Sequence, residues 1–191
     1  TNIAVVDPEG NACVVTTTLG LGAGVWLPGF GVHLNSMLGE AELIIEGSVP
    51  GQRVSSMMCP LVVTGPQLQP PGTARLEQTG ARAPAPRDAL VLAAGAAGAS
   101  RIRTALLHTL VGVLIDGLDP GAAIARPRFH VYDGVVHTET GVPEDELDAL
   151  AAAGYPVHRW DGLNHYFGGA SAVGRTGVGG DPRRGGVGVL L

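Results

Sequence analysis

Aromatic residues are scarce in this sequence, and lysine is absent. Only 4% of its 191 residues are Phe, Trp or Tyr while 45% are hydrophobic, so a core has to be built from Val, Leu, Ile and Ala. All twelve basic residues are arginine and the formal net charge is −5, which leaves no basic cluster for nucleic acid. No nucleic-acid partner is expected.

Paired cysteines and long apolar runs are also missing. Cys13 and Cys59 are the two cysteines, and their spacing fits neither a zinc site nor a redox pair. No run reaches the roughly 18 apolar residues of a membrane span, so no membrane partner is expected. The sequence favours a cytoplasmic location, although a signal upstream in a precursor would make the protein secreted. No metal or organic cofactor is implied.

The length predicts one domain over residues 1–191. Thirty glycines and fourteen prolines predict many tight turns. Residues 65–88 are rich in Pro, Gly, Gln and Thr without apolar periodicity, which predicts a mobile surface loop.

The alternation of apolar residues predicts a hairpin of residues 3–6 and 12–18 around a turn at 8–11. A buried strand at 89–94 then runs through a small-residue turn into a helix that Ser100 caps and Gly117 ends. Helices are predicted at 120–125 and 143–153. Further strands are predicted at 32–34, 60–64, 129–132, 135–138, 157–160, 169–174 and 186–190. This order predicts an α+β or a layered α/β fold.

Thr1 carries a hydroxyl nucleophile and an α-amine on one residue at the start of a strand. The unperturbed pKa of such an amine is about 7.7 to 8.0, so it can serve as the base that activates the hydroxyl. The alternative is that removal of an initiator methionine leaves threonine first without any catalytic role.

The turn before the first long helix is a second candidate. The amides of Gly98 and Ala99 are expected to point outward at the positive end of the helix, where an oxyanion is favoured. The alternative is that small residues there serve only the close packing of strand against helix.

Seven short segments, in this order, together resemble one known family. The sequence resembles the γ-glutamyltransferases of the N-terminal-nucleophile hydrolase class, specifically the smaller subunit that is released when the precursor cuts itself before a threonine. The segments are Thr1 with 5–7 and 10–12, 16–19, 31–35, 53–60, 95–102, 127–130 and 181–183.

The resemblance implies a four-layer αββα sandwich that is completed by a larger subunit from the same precursor. It implies that Thr1 is the nucleophile and that the hydroxyl of Thr18 hydrogen-bonds and orients its amine. It also implies that the amides of Gly98 and Ala99 form the oxyanion hole, with alanine replacing the second glycine of the family.

The resemblance implies γ-glutamyl amides such as glutathione as the default substrate. Glu40 matches the partner of the substrate amine. The serine pair of the family corresponds to Ser55–Ser56, or to Ser56–Met57 in the alternative register.

Two positions depart from the family pattern, because Gly20 stands where asparagine is expected and Met37 where an amide or acid is expected. A charged head group left without polar partners in a closed site costs several kcal/mol. A second hypothesis is therefore a repurposed relative that cleaves another amide or an activated carbon–carbon bond. A third is a catalytically silent subunit that is kept for assembly or ligand binding.

Overall fold

The computed structural model describes residues 1–39, 49–65 and 90–191, which contain eleven strands and three α-helices. Glu40 and residues 66–88 of the predicted loop lie outside the described residues. The helices are α1 (Arg101–Leu114), α2 (Pro120–Ala125) and α3 (Glu144–Ala152). The strands are β1 (Asn2–Val6), β2 (Ala12–Thr16), β3 (Trp26–Leu27), β4 (Val32–His33), β5 (Leu61–Thr64), β6 (Leu90–Ala97), β7 (Phe129–Tyr132), β8 (Val135–Glu139), β9 (Val157–Trp160), β10 (Gly169–Gly174) and β11 (Gly177–Gly180).

The main core lies on one face of an antiparallel sheet with the strand order β11-β10-β6-β5. Its centre is β6, an apolar strand of small residues that is buried along most of its length. Because alternate side chains of a strand point to opposite faces, one set packs on α1 and α2. This core contains Leu92, Ala94, Ala96, Ile102, Ala105, Leu106, Val113, Ala123, Ile124, Ala170 and Ala172.

The hairpin β1–β2 covers the other face of the sheet and contacts β6 and β10. Its register pairs Asn2 with Thr16 and Val6 with Ala12. A Cβ on Gly95 would overlap the side chain of Asn2, which shows that this position of β6 faces the hairpin. These elements therefore form three layers: α1 and α2, the four-stranded sheet and the hairpin.

A second sheet has the order β7-β8-β9, with β8 and β9 parallel and α3 in the connection between them. It joins the core through β7 and α1, which are in contact. The mixture of helices and mainly antiparallel sheets agrees with the predicted α+β class. Among the described residues, no helix has the length and hydropathy that a membrane span requires.

Most predicted elements are confirmed, but the strand predicted at 186–190 is wrong. The outer partner of β10 is instead β11. Its sequence of three glycines and one valine has little of the β-branched and aromatic composition that predicts a strand. Gly179 must approach α2 closely, since a Cβ there would lie 2.8 Å from the Cα of Gly121. Residues after β11 fold back on it, with the Gly186 amide donating to the Asp181 carbonyl at 2.8 Å.

Candidate active site

Thr1 lies exposed at the open end of the β1–β2 hairpin. Its amine donates a hydrogen bond to the carbonyl oxygen of Thr17 at 2.9 Å, and its carbonyl accepts one from the Thr17 amide at 2.9 Å. These two bonds continue the hairpin ladder by one residue pair beyond Asn2 and Thr16. The backbone of Thr1 is therefore held by the same pairing that forms the hairpin.

Thr18 was expected to hold the Thr1 amine through its hydroxyl. In the structure the partner of the amine is the Thr17 carbonyl, while Thr18 Oγ1 accepts a hydrogen bond from the Gly20 amide at 2.9 Å. The hairpin register explains the difference, because Thr1 lies opposite Thr17 and Thr18 begins the following loop. The proposed orienting role of Thr18 stays a prediction.

Gly20 and Met37 lie next to the two ends of one closed loop, residues 19–36. The Ser36 amide donates to the Leu19 carbonyl at 2.9 Å, and this bond joins the two ends of the loop. Because Gly20 follows Leu19 and Met37 follows Ser36, both positions lie near this closure. Gly20 has no side chain and a φ of 65°, and Met37 is half-buried. Neither position supplies a polar side chain.

The predicted serine pair lies on an exposed segment before β5. Ser55 and Ser56 are exposed, and Ser56 Oγ accepts a hydrogen bond from the Met58 amide at 3.2 Å. Met57 is partly buried against the hydrophobic core. The structure thus gives Met57 a packing role, and the assignment of the serine pair stays a prediction.

The turn between β6 and α1 has an unusual backbone. Gly98 has a φ of 139°, and Ala99, which is exposed, has a φ of 52°, a value that non-glycine residues rarely adopt. The turn leads directly into the helix, because the Arg101 amide donates to the Gly98 carbonyl at 3.1 Å. The predicted oxyanion residues therefore precede the first turn of α1, where the helix dipole is positive.

Gly168 supports this turn from the opposite side. A Cβ on Gly98 would lie 2.7 Å from the Cα of Gly168, and a Cβ on Gly168 would lie 2.5 Å from the carbonyl oxygen of Ala97. Both residues have positive φ, so glycine is required at each by conformation and by space.

The start of α1 is also fixed by Arg101. Its Nε donates to the carbonyl oxygen of Tyr166 at 3.1 Å, and its guanidinium lies 4.9 Å from the centre of the Tyr166 ring. Burial raises the pKa of Tyr166, and the positive charge of Arg101 opposes that shift. The segment that carries Gly168 is thereby attached to the helix that follows the turn.

A buried ionic cluster lies behind this segment. Arg183 contacts Glu139 at 2.5 Å and Asp181 at 3.2 Å, and Arg128 contacts Asp181 at 2.7 Å. The side chains of all four are at most 2% exposed. Two positive and two negative charges balance, as buried ions require. Nothing in the sequence of segments 127–130 and 181–183 indicated that they lie in contact.

The cluster fixes the backbone on both sides of Gly168. Glu139 Oε1 accepts a hydrogen bond from the Asn164 amide at 2.8 Å, and Asp181 Oδ2 accepts one from the Ala170 amide at 2.9 Å. Because Gly168 contacts Gly98, this cluster indirectly supports the 98–99 turn. Its role is structural.

Asn2, which sequence reasoning did not select, connects the hairpin to the sheet beneath it. Its Nδ2 donates to Ser171 Oγ at 2.6 Å, and its Oδ1 accepts from Thr16 Oγ1 at 2.7 Å. The only sequence signals were a polar residue next to Thr1 and the single glycine, Gly95, in the apolar strand β6.

The described residues contain no group of three or more His, Cys, Asp or Glu residues that could hold a metal ion. His130 is buried and its Nδ1 lies 3.0 Å from Thr104 Oγ1. Burial lowers the pKa of His130, and the charge of Arg101 adds to the shift. A neutral His130 therefore packs against α1.

Comparison with known proteins identifies the family. The family model of gamma-glutamyltranspeptidase matches residues 85–190. The glutathione hydrolase proenzyme of Bacillus subtilis (strain 168) is 27% identical over 174 residues, which are 88% of this chain and 24% of that protein. The acylase ACY 1 proenzyme of Pseudomonas sp. (strain V22) is 27% identical over 168 residues, 83% of this chain and 26% of that protein. The chain thus spans about a quarter of the length of these curated relatives.

A solved structure agrees over the whole chain. The gamma-glutamyltranspeptidase from Pseudomonas nitroreducens, complexed with L-DON, superposes with a TM-score of 0.74 at 26% identity, and the match covers 100% of this chain and 99% of that chain. The sequence match and the shared fold agree with each other, and the chain belongs to the gamma-glutamyltranspeptidase family of N-terminal-nucleophile hydrolases.

Proposed function

We propose that this chain is the catalytic subunit of an autoprocessed amidohydrolase or acyltransferase whose nucleophile is Thr1. The observation that carries the proposal is the placement of Thr1: its amine and hydroxyl lie at the end of a hairpin that packs on β6, the strand leading into the 98–99 turn. Two relatives are proenzymes, and the solved chain from Pseudomonas nitroreducens is matched over 99% of its length. Both facts support a chain that is cut from a longer precursor.

In the proposed mechanism the Thr1 hydroxyl attacks the substrate carbonyl while the Thr1 amine accepts the hydroxyl proton. The negative oxygen of the tetrahedral intermediate accepts hydrogen bonds from the amides of Gly98 and Ala99. Collapse breaks the carbonyl–nitrogen bond, and the leaving amine takes the proton. Water or an acceptor amine then releases the acyl group from Thr1 by the reverse sequence. Each donor to the oxyanion is worth about 10² to 10³ in rate.

The default substrates are γ-glutamyl amides such as glutathione, with Glu40, Ser55 and Ser56 as the proposed ligands of the glutamyl head group. A second candidate is a different amide, or an activated carbon–carbon bond. It is favoured by the loop that Ser36 closes, because Gly20 and Met37 supply no polar group there. The absence of polar side chains at these two positions suits an acyl group without a charged head.

The proposed partner is a larger subunit from the same precursor. The outward face of the hairpin is apolar, with Ile3, Val5 and Val15 each about half exposed at 54%, 55% and 50%. A sheet face of this kind is normally covered by another layer. A partner layer there would complete the four-layer αββα sandwich that the resemblance implies.

The test uses the full-length precursor and its Thr1→Ala variant, with Thr64→Ala on the exposed side of β5 as the matched control. We expect the wild type and the control to be cleaved and to release p-nitroaniline from γ-glutamyl-p-nitroanilide with a burst. Thr1→Ala should do neither. Full activity in Thr1→Ala would refute the nucleophile.

The two substrate candidates are separated by a second probe, p-nitrophenyl acetate, an activated ester that needs no head-group recognition. Intact-mass analysis detects the acetyl group, and peptide mapping locates it on Thr1. Acetylation together with turnover of the γ-glutamyl anilide supports glutamyl specificity, whereas acetylation alone supports the second candidate.

A further inference from the structure

The side chain of Asn2 joins the strand that carries Thr1 to the sheet that carries the 98–99 turn. We propose that Asn2 is a positioning residue that fixes Thr1 relative to this turn, an inference that rests on the proposed function of Thr1. The residue touches neither the reacting atoms nor a substrate in this arrangement, and it acts through the backbone of its neighbour.

The nitrogen and the oxygen of the Asn2 side-chain amide both form hydrogen bonds. Nδ2 donates to Ser171 Oγ at 2.6 Å on β10, and Oδ1 accepts from Thr16 Oγ1 at 2.7 Å on β2. Ser171 Oγ also donates to the backbone carbonyl of Asn2 at 3.4 Å. One side chain therefore connects β1, β2 and β10 in a partly buried position, where each hydrogen bond fixes its direction.

Gly95 provides the space for this amide. It pairs with Ser171 in the sheet, and the three atoms nearest to a Cβ at Gly95 all belong to the Asn2 side chain. Any larger residue at position 95 would have to displace the amide. Gly95 and the Asn2 side chain are therefore complementary, because the space left by the glycine in β6 is filled by the amide from β1.

The Asn2 side-chain amide contacts two strands that end or begin close to the turn. Gly95 lies two residues before the end of β6 at Ala97, after which Gly98 and Ala99 follow. Ser171 lies two residues after the start of β10, which Gly168 precedes, and Gly168 contacts Gly98. A shift of the Asn2 amide would therefore move the hairpin relative to both sides of the turn.

Thr1 needs such an attachment because it is exposed and its two backbone hydrogen bonds both go to Thr17 within the hairpin. Chain ends fray unless they are tied down. A nucleophile misplaced by about 1 Å can lose about 100-fold in rate. The two hydrogen bonds between Asn2 and Ser171, one donated by each residue, tie this end of the hairpin to the sheet below it.

The experiment compares Asn2→Ala and Ser171→Ala with the control Asn11→Ala in the full-length protein. Asn11 lies on the same hairpin and its Nδ2 donates to Asp7 Oδ2 at 2.7 Å, at the opposite end from Thr1. The readouts are the rate constant of Thr1 acetylation by p-nitrophenyl acetate at saturation, the concentration for half saturation, and the melting temperature. Rates are normalised to the fraction of cleaved precursor.

We expect Asn2→Ala and Ser171→Ala to lower the maximal acetylation rate about 10- to 100-fold, with the half-saturation concentration changed less than about threefold. Asn11→Ala should stay within about twofold of the wild type in both. A purely structural role of Asn2 would lower the melting temperature and leave the rate per folded molecule unchanged.

A double-mutant cycle tests the complementary contact. Gly95→Ala alone should slow acetylation about as much as Asn2→Ala, because the new Cβ displaces the amide. In the Asn2→Ala background, Gly95→Ala should add less than about twofold, since the clashing group is gone. Effects that multiply in the double variant would overturn the proposed contact.

Asn2→Asp supplies a further readout. The introduced carboxylate can accept hydrogen bonds from both Thr16 and Ser171, so the maximal rate at high pH should return to within about threefold of the wild type.

The inference is overturned if Asn2→Ala acetylates at the wild-type rate, or if Asn2→Asp is as slow as Asn2→Ala at every pH. A different result would refute the proposed function of Thr1: the Thr1→Ala variant would react as fast as the wild type, whatever the Asn2 variants do.

Discussion

Replacing Glu139 by glutamine should destabilise the protein strongly, although the two side chains have nearly the same shape. Both carboxylate oxygens of Glu139 already accept two hydrogen bonds each. Oε1 accepts from Arg183 Nε at 2.7 Å and the Asn164 amide at 2.8 Å, and Oε2 accepts from Arg183 Nη2 at 2.5 Å and the Arg128 amide at 2.9 Å. The amide group of a glutamine would place its own donors against two of these donors in either orientation.

The magnitude follows from burial and charge. Glu139 is 1% exposed, and its substitution leaves the buried guanidinium of Arg183 with Asp181 as its one remaining carboxylate partner among the described residues. Removing one partner of a buried ion pair costs about 3 to 5 kcal/mol. For a chain of this length that corresponds to a fall in melting temperature of roughly 6 to 20 °C.

The assay is urea unfolding of the intact protein, followed by tryptophan fluorescence, with Glu144→Gln as the matched control. Glu144 pairs with Arg159 at 2.7 Å on the surface, where both side chains are about half exposed or more. The Arg159 guanidinium, which donates hydrogen bonds to Glu144, lowers the pKa of that carboxyl. We expect no measurable loss of stability in the control. A loss below about 1 kcal/mol in Glu139→Gln would refute the reasoning that this cluster is a tightly coupled buried network.

Three further predictions concern Ala99, Gly168 and His108. Ala99→Gly keeps the backbone amide donor and removes the strain of a non-glycine residue at a φ of 52°, so the melting temperature and the rate of Thr1 acetylation should change little. Ala99→Val should destabilise the protein by more than about 1 kcal/mol and slow acetylation. In urea unfolding, Gly168→Ala should destabilise the protein by about 1 to 3 kcal/mol more than the control Gly162→Ala. Both glycines have positive φ, but only a Cβ on Gly168 would clash with the backbone, at 2.5 Å from the carbonyl oxygen of Ala97. Burial, aided by the charge of Arg128, lowers the pKa of His108 from 6.5. The unfolded chain therefore binds more protons, and the free energy of unfolding should fall as the pH drops below about 6.5. His108→Leu should weaken this pH dependence, and an unchanged pH dependence would contradict its origin in His108.

The residues that the sequence could select are those whose signal is local. The alternation of apolar residues predicts the β1–β2 hairpin, and the helical spacing after Ser100 predicts α1, because both patterns depend on neighbours within a few positions. Thr1 and the 98–99 turn are candidates for the same reason, since their chemistry lies in one residue or one short segment. The resemblance to the γ-glutamyltransferases is confirmed by the family match.

The sequence alone selected Thr1 as a candidate and predicted the first hairpin, and it predicted that a buried strand runs through small residues into a helix. Only the tertiary structure decided the contacts between residues far apart in the chain. Asn2 meets Ser171 across 169 positions, and Glu139 meets Arg183 across 44. It also decided that the Thr1 amine faces the Thr17 carbonyl and that the glycines of β11 form an edge strand. The physical reason is that hydrogen bonds and ion pairs of buried groups depend on which layers stack and in what register, and no local pattern in the sequence encodes that choice.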